Sequence, residues 1–317
     1  MRRISVMSGG ARSTVEDLGR RGVGRFGVPS GGAFDAVALV AANRLVGNAA
    51  GAAGIEVTLR GPELLNAGDE DLAVAWVGGG MAGELVETDR VVKLDEGVAC
   101  RLAAGATLRF GYVRGGARAW LALSGGIDVA PVLGSRSTDV NAAFGGVAGR
   151  ALRAGDELSL GCEPPGAMLV SFADPLHTIA APVLLRLLPG PQVELLAGGV
   201  DPLLAKPWVV ARDSDRGGVR LLADGDGPAA PLRGAAGIPP EGTTLGAVQV
   251  PPDGYPIILG PDRPITGGYA KPALVIRADL GRLAALRPGD RVRFAAIELD
   301  EALRLARLRW DAAGGPP

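Results

Sequence analysis

Histidine is almost missing from this 317-residue chain: His177, in "DPLHTI", is the single one. A catalytic triad built on imidazole would have to use it, and a zinc site would need acids or cysteines without histidine partners. Cysteine is nearly as scarce. Cys100 and Cys162 stand far apart and outside any Cys-x-x-Cys pair, which reads as two separate thiols, not a disulfide or a metal clip. No apolar run approaches the roughly 18 residues that a bilayer-spanning helix needs. The start, "MRRISVMSGGARS", has no apolar core of a secretory signal. A formal net charge of -1 without a basic stripe excludes the usual nucleic-acid binder. The expectation is a cytoplasmic globular protein with no nucleic-acid or membrane partner. Its chemistry must rest on Asp, Glu, Arg, Lys, Tyr, Ser or Thr. Lysine and glutamine are also rare, at three and two residues, so the positions that keep them stand out from the rest.

Glycine and proline are plentiful, at 50 and 24, and they punctuate apolar stretches throughout. That pattern predicts a mainly β protein with many short strands. "VPPDGYP" marks a hairpin, since Pro252 presets a turn and Gly254 accepts positive φ. Helices are few. "AFDAVALVAANRLVGN" aligns Phe34, Val37, Ala41 and Leu45 on one stripe, and Gly47 is placed to stop it. Asp279 is placed to cap "LGRLAAL", and Asp300 to cap "EALRLARLRW" with Leu303 and Ala306 inward. "RLAAGATLRF", "ALRAGDELSL" and "ALRPGDRVRF" repeat one phrase, a Gly turn followed by an alternating strand. Turn, hairpin and closing phrase recur in that order in both halves. This predicts two related β units, residues 1–185 with an insertion and residues 186–317, with room for strands exchanged between them.

Several stretches could carry chemistry. Gly22-Val-Gly24-Arg-Phe-Gly27 satisfies G-x-G-x-x-G, but Pro29 precedes any helix, so a β-rich turn is the better reading than a dinucleotide fingerprint. No P-loop motif occurs. "GVPSGGAFD" could hold an anion on backbone amides at a helix start, or Asp35 could simply complement the helix dipole. "GSRST" places Ser135 and Arg136 in a loop, where a guanidinium suits a carboxylate or phosphate and where surface arginines are also commonest. "LGPDRPITGGYAK", residues 259–271, is the densest. It sets Asp262, Arg263, Thr266, Tyr269 and Lys271 around Gly267 and Gly268, and reads as a polar loop between strands.

"TVEDLGRRGVGRFGVPSGGAFDAVALVAANRLVGN", "IEVTLRGP", "SGGIDVAPVLGSRST", "LPGPQ", "GAVQVPPDGYPIIL" and "DRPITGGY" together resemble the allophanate hydrolase subunit 2 family, also called KipA or the 5-oxoprolinase C subunit. The resemblance covers nearly the whole chain. It implies two cyclophilin-like β-barrel domains and a partner of the allophanate hydrolase subunit 1 (KipI) type, with a LamB/YcsF-type third subunit in the 5-oxoprolinase. The implied reaction is ATP-driven opening of 5-oxoproline to glutamate, with ATP as co-substrate of the complex. Biotin-dependent carboxyl transfer in urea or allophanate metabolism is the enzymatic alternative, and a KipA-type regulator that binds a KipI-type kinase inhibitor is the non-catalytic one. Lys93, Lys206 and Lys271 lie in no Met-Lys-Met-like site, so any biotin would sit on another chain. Carried over by motif, Asp262, Arg263, Lys271 and Arg136 are the catalytic candidates. Asp35, Asn43, Gln249, Thr266, Gly267, Gly268, Tyr269 and Ser135 are the substrate-binding ones, and no metal is expected. The chain departs from the family pattern at Gly31, Gly80, Val219, Pro264 and Ala270, which bears on the substrate more than on the fold.

Overall fold

The computed structural model describes residues 2–87, 90–164, 166–176, 180–225, 230–233 and 237–315; His177 lies outside them. Strands take 37% of the chain and helices 14%. The chain divides into two compact units. One comprises Met1–Arg21, Gly31–Pro175 and Arg309–Pro317, and the other Gly22–Ser30 and Leu176–Leu308.

The first unit holds β1 (Arg3–Ser8), β2 (Arg12–Glu16), α1 (Ala36–Leu45), β3 (Gly54–Thr58), β4 (Glu63–Asn66), β5 (Leu72–Val77), β6 (Gly83–Glu87), β7 (Arg90–Leu94), β8 (Cys100–Leu102), β9 (Thr107–Phe110), β10 (Arg118–Leu123) and β11 (Glu157–Ser159). They form two sheets, ordered β11-β1-β4-β9-β6-β7 and β2-β3-β10-β5-β8, whose apolar faces share one core. Trp76 anchors that core. Its ring meets Phe110 edge-on at 5.0 Å, and its indole N–H donates to the Met81 carbonyl at 2.9 Å, so the polar end of a fully buried side chain is satisfied. Helix α1 forms where the stripe predicts it but starts at Ala36, so Phe34 lies before the helix and Asp35 outside its first turn. Asp35 is its N-cap, accepting from the Val37 and Ala38 amides at 3.1 and 3.3 Å, and Gly47 follows at φ +81°. The helix is buried along almost its whole length, and Gly54 permits this: a methyl there would lie 2.9 Å from Leu39.

The second unit holds β12 (Val183–Pro189), α2 (Asp201–Leu204), β13 (Trp208–Val210), β14 (Gly218–Ala223), β15 (Gly237–Gly242), β16 (Ala247–Val250), β17 (Ile257–Leu259), β18 (Thr266–Val275), α3 (Leu280–Ala285), β19 (Arg291–Ala296) and the start of α4 (Leu299–Ala312). Seven of these strands close a barrel in the order β12-β19-β13-β14-β17-β16-β18. Strand β12 completes the ring, parallel to β19 on one side and antiparallel to β18 on the other. Strand β12 runs across the boundary read from sequence at 185/186, and its first residues, from Val183, pair with β19 in this barrel. The predicted β16–β17 hairpin is present, with the Gly254 amide closing onto the Pro251 carbonyl at 2.9 Å and Gly254 at φ +76°. The three repeated phrases all turn at positive φ, at Gly105, Gly155 and Gly289, before β9, β11 and β19.

Three local expectations fail for identifiable reasons. Asp279 precedes α3 but makes no capping bond, because its carboxylate is drawn to Arg186 and Arg282. Helix α4 starts at Leu299, so Asp300 lies in its first turn and is not its cap. Its inward face carries Ala302 and Leu305, packed with Ile276 and Ala278, while Leu303 is 47% exposed. The polar loop read at 259–271 is half strand: β18 begins at Thr266 and runs unbroken through Lys271.

Candidate functional site

Strand β18 organises the richest site. Its first half, Thr266–Lys271, pairs with β15, an edge strand outside the closed barrel whose residues are nearly all exposed. Beside this pair is a cavity of about 410 Å³ lined by Thr243, Gln249, Pro264, Thr266, Gly267, Gly268 and Tyr269. Five of the twelve sequence candidates therefore line one cavity. Gln249 projects there from the otherwise apolar β16, and Gly267 makes room for it, since a methyl at 267 would lie 2.5 Å from the Gln249 side-chain nitrogen.

The lining is uncharged, and the ionic groups of the same stretch are committed around it. Asp262 accepts from Arg216 at 2.8 and 3.1 Å, a buried bidentate pair. Arg263 donates to the Ser30 hydroxyl and the Gly260 carbonyl, both at 3.3 Å, while its buried Nε has no hydrogen-bond partner. Burial lowers its pKa, partly offset by Asp262. Lys271 is only 4% exposed. Its ammonium meets Glu241 at 2.9 Å, its amide donates to Gln192 Oε1 at 3.0 Å, and Gln192 Nε2 donates to Glu241 at 2.8 Å. These bonds to Lys271 and Gln192, with the Lys271 charge, hold the Glu241 carboxyl below its ordinary pKa.

The remaining candidates lie in the first unit and fall into three separate networks. Asp35 caps α1 and pairs with Arg309. Asn43 donates to the Ala52 carbonyl at 2.8 Å and accepts from Asn48 at 3.0 Å. Ser135 donates to Asp17 at 2.6 Å, as does Ser137, and the Arg136 amide donates to the second oxygen of the same carboxylate at 2.6 Å. Burial pushes the Asp17 pKa up, but those bonds and the one from the Gly19 amide outweigh it and leave it lowered. The Arg136 guanidinium contacts Asp128 at 3.0 Å and keeps a buried Nε without a hydrogen-bond partner. The G-x-G-x-x-G run forms a single 3-10 turn, Gly24–Phe26, ending on Gly27 at φ +76°, with no helix behind it.

Asp17, Gln192, Arg216, Glu241 and Arg309 escaped sequence reasoning about the site. Gln192 carried a signal, as one of two glutamines and part of "LPGPQ", and Asp17 lay in the quoted "TVEDLGRR" stretch.

Residues 26–296 match the model of the carboxyltransferase domain, subdomain A and B, and the chain belongs to that family. It is 35% identical over 302 residues to the 5-oxoprolinase C subunit of Escherichia coli, covering 95% of this chain and 93% of that one. It is 34% identical to a putative urea carboxylase of Emericella nidulans, covering 96% of this chain and 25% of the relative. The crystal structure of the Kluyveromyces lactis urea carboxylase superimposes with a TM-score of 0.88 at 28% identity, over 98% of this chain and 29% of that one. The chain thus spans about a quarter of the length of its urea carboxylase relatives.

Proposed function

We propose that this chain is part of a cytoplasmic ATP-dependent 5-oxoprolinase, which adds water across the lactam C–N bond of 5-oxoproline to give glutamate as ATP is hydrolysed. The observation that carries the reading is the near end-to-end match to the C subunit of a 5-oxoprolinase, 95% of one chain against 93% of the other. It acts with a KipI-type partner, and the full complex also contains a LamB/YcsF-type subunit.

In this reading the uncharged cavity receives the lactam. The Gln249 carboxamide can donate to the ring carbonyl and accept from the ring N–H, and the Gly267 and Gly268 backbone lets the ring approach closely. Thr266 and Tyr269 supply hydroxyls at the mouth. Lys271 and Arg263 provide positive charge for the carboxylate and for charge developing on the carbonyl oxygen. Asp262 is held by Arg216 in a bidentate pair, and in this reading it orients that cation. Arg136 supplies a cation in the first unit, while Asp35, Asn43 and Ser135 shape that unit through their buried bonds. With no P-loop in this chain, ATP binding is assigned to the assembled complex.

Coexpression with the two partner subunits tests this. The expected result is glutamate and ADP formed together from 5-oxoproline, with kcat/KM falling at least tenfold in a Lys271→Ala variant that stays folded. Unchanged hydrolysis in that variant would remove Lys271 from the site. A second reading, carboxyl transfer from biotin carried on another chain, draws support from the urea carboxylase and urea amidolyase relatives. Carbon dioxide release that requires a carboxybiotin donor would favour it, and tight partner binding without any turnover would favour the regulatory alternative.

A further inference from the structure

Lys271 is the only lysine among the described residues that is buried, and its counter-charge comes from an edge strand outside the closed barrel. Glu241 belongs to β15, which hydrogen-bonds to β18 alone, carries Pro239 and Pro240, and slips register between Gly237 and Glu241. All but one of its residues are exposed. Proline removes ladder donors, and a bulged edge strand with a solvated face is the cheapest element of a sheet to lift. The groups that Glu241 covers are the opposite. Lys271 Nζ is buried on a barrel strand, and Gln192 is fixed by the Lys271 amide at 3.0 Å. A firm pair of donors is therefore satisfied by a carboxylate on a loose strap.

The position of that carboxylate relative to the cavity matters as much. Glu241 sits directly opposite Gly267 in the β15–β18 register, and Gly267 lines the cavity beside Gln249. Lys271 Nζ also reaches the backbone carbonyl of Tyr269, another lining residue, at 3.4 Å. A ligand with a neutral amide ring and a carboxylate one bond away would place the ring against Gln249 and its charge where Glu241 now lies.

Resting on the functional reading above, we propose that Glu241 is a built-in stand-in for the ligand carboxylate. The incoming carboxylate exchanges with Glu241 on Lys271 Nζ and Gln192 Nε2, and β15 lifts from the first half of β18 to admit the ring. No bond is made or broken covalently. The number of ion pairs stays the same, with Glu241 released to water and the ligand taking its place. Glu241 is thus a positioning residue that competes with substrate and sets its affinity.

Kinetics of the reconstituted complex and binding to the chain itself test this separately. For Glu241→Gln, which removes the competing charge and keeps the amide shape, KM for 5-oxoproline should fall about two- to fivefold, the range of a partly exposed ion pair. For Lys271→Met, KM should rise at least tenfold. With the chain alone, saturating 5-oxoproline should speed amide hydrogen exchange across residues 237–242, while the neutral carboxamide of 5-oxoproline should not. Glu241→Gln should tighten 5-oxoproline and leave the carboxamide unchanged. An unchanged or higher KM in Glu241→Gln, or equal effects of the acid and its carboxamide on exchange, would overturn the exchange model. If the complex turns over no 5-oxoproline, the functional reading fails, and binding of glutarate to the chain, with the same dependence on Lys271 and Glu241, still decides the subsite. No binding of either carboxylate would show the Lys271–Glu241 pair to be structural only.

Discussion

Arg309 and Asp174, 135 residues apart in sequence, meet at 2.7 Å inside the first unit, and Asp35 closes on the same guanidinium from the other side. Arg309 and Asp35 are each only a few per cent exposed, and the N-cap of α1 is thereby tied to Arg309 within the first unit. Burial opposes the Arg309 charge, but the two carboxylates outweigh it and raise its pKa, so it stays a cation at any working pH. Arg309→Met should cost about 3–5 kcal/mol, because it strands two buried carboxylates. Asp174→Asn should cost less, since Asp35 still balances the charge. Urea denaturation of the purified chain measures both, and a loss below about 1 kcal/mol for Arg309→Met would mean that the triad does not hold the unit together.

The Asp17 network makes a prediction about acid. Its folded-state pKa lies below the ordinary value, so its contribution to stability is present above about pH 3.9 and is lost as pH falls through the depressed folded pKa. Ser135→Ala and Ser137→Ala each remove a donor to that carboxylate, raise its folded pKa and flatten the acid limb. Denaturation midpoints compared between pH 2 and 6 should show a smaller acid loss in either variant than in the parent. An identical acid limb would place the "GSRST" loop under the control of other groups.

What could be read from the sequence followed how local the signal was. Helix α1, the β16–β17 hairpin and the glycine turns at 105, 155 and 289 depend on neighbours within a few residues, and each was legible. Strand β15 was not, since "GIPPEG" has the composition of a turn and becomes a strand only because β18 offers an edge. The first half of β18 shared that fate, as "TGGYAK" lacks β-branched residues beyond Thr266. The site split the same way. Gln249, Thr266, Gly267, Gly268 and Tyr269 lie close in sequence and were found together. Arg216, Glu241 and Arg309 act across 46, 30 and 274 residues from the groups that they hold, and no periodicity reports such a pairing.

Helix α4 gives a direct measure of one misread face. Leu305 is 5% exposed and packs with Ile276 and Ala278, whereas Leu303 is 47% exposed. Leu305→Ala should cost about 2–5 kcal/mol by lost burial and the cavity left behind, and Leu303→Ala less than about 0.5 kcal/mol. Comparable losses in thermal or urea unfolding would show that Leu303 is covered after all.

The two thiols should differ sharply in reactivity. Cys162 is exposed, while burial pushes the Cys100 pKa up to about 11, only slightly countered by its backbone bond. The thiolate is the reacting form, so at pH 8 Cys100 holds well under 1% of it. One equivalent of an Ellman-type reagent should react quickly in the native chain, and the second only on unfolding. Cys162→Ser should abolish the fast phase. A fast phase that survives in that variant would mean that Cys100 is reached by local opening of β8.

Gly190 and Gly267 separate the fold of the site from its function. A methyl at Gly190 would lie 2.1 Å from the Lys271 carbonyl, a backbone atom fixed in the barrel, and the Gly190 amide also donates to the Pro272 carbonyl at 2.8 Å. Nothing there can yield without moving β18, so Gly190→Ala should destabilise the chain by about 3 kcal/mol or more and displace Lys271 with it. At Gly267 the atom in the way is the far end of Gln249, 2.5 Å from the added methyl, and a side-chain rotation relieves it. Gly267→Ala should therefore change the unfolding midpoint little, by less than about 1 kcal/mol, while turning the carboxamide out of the cavity. The two variants should then fail differently, the first in urea denaturation and the second only in 5-oxoproline binding. Equal destabilisation by both would mean that Gln249 is held as rigidly as the barrel backbone, and that the cavity wall cannot adapt to its ligand.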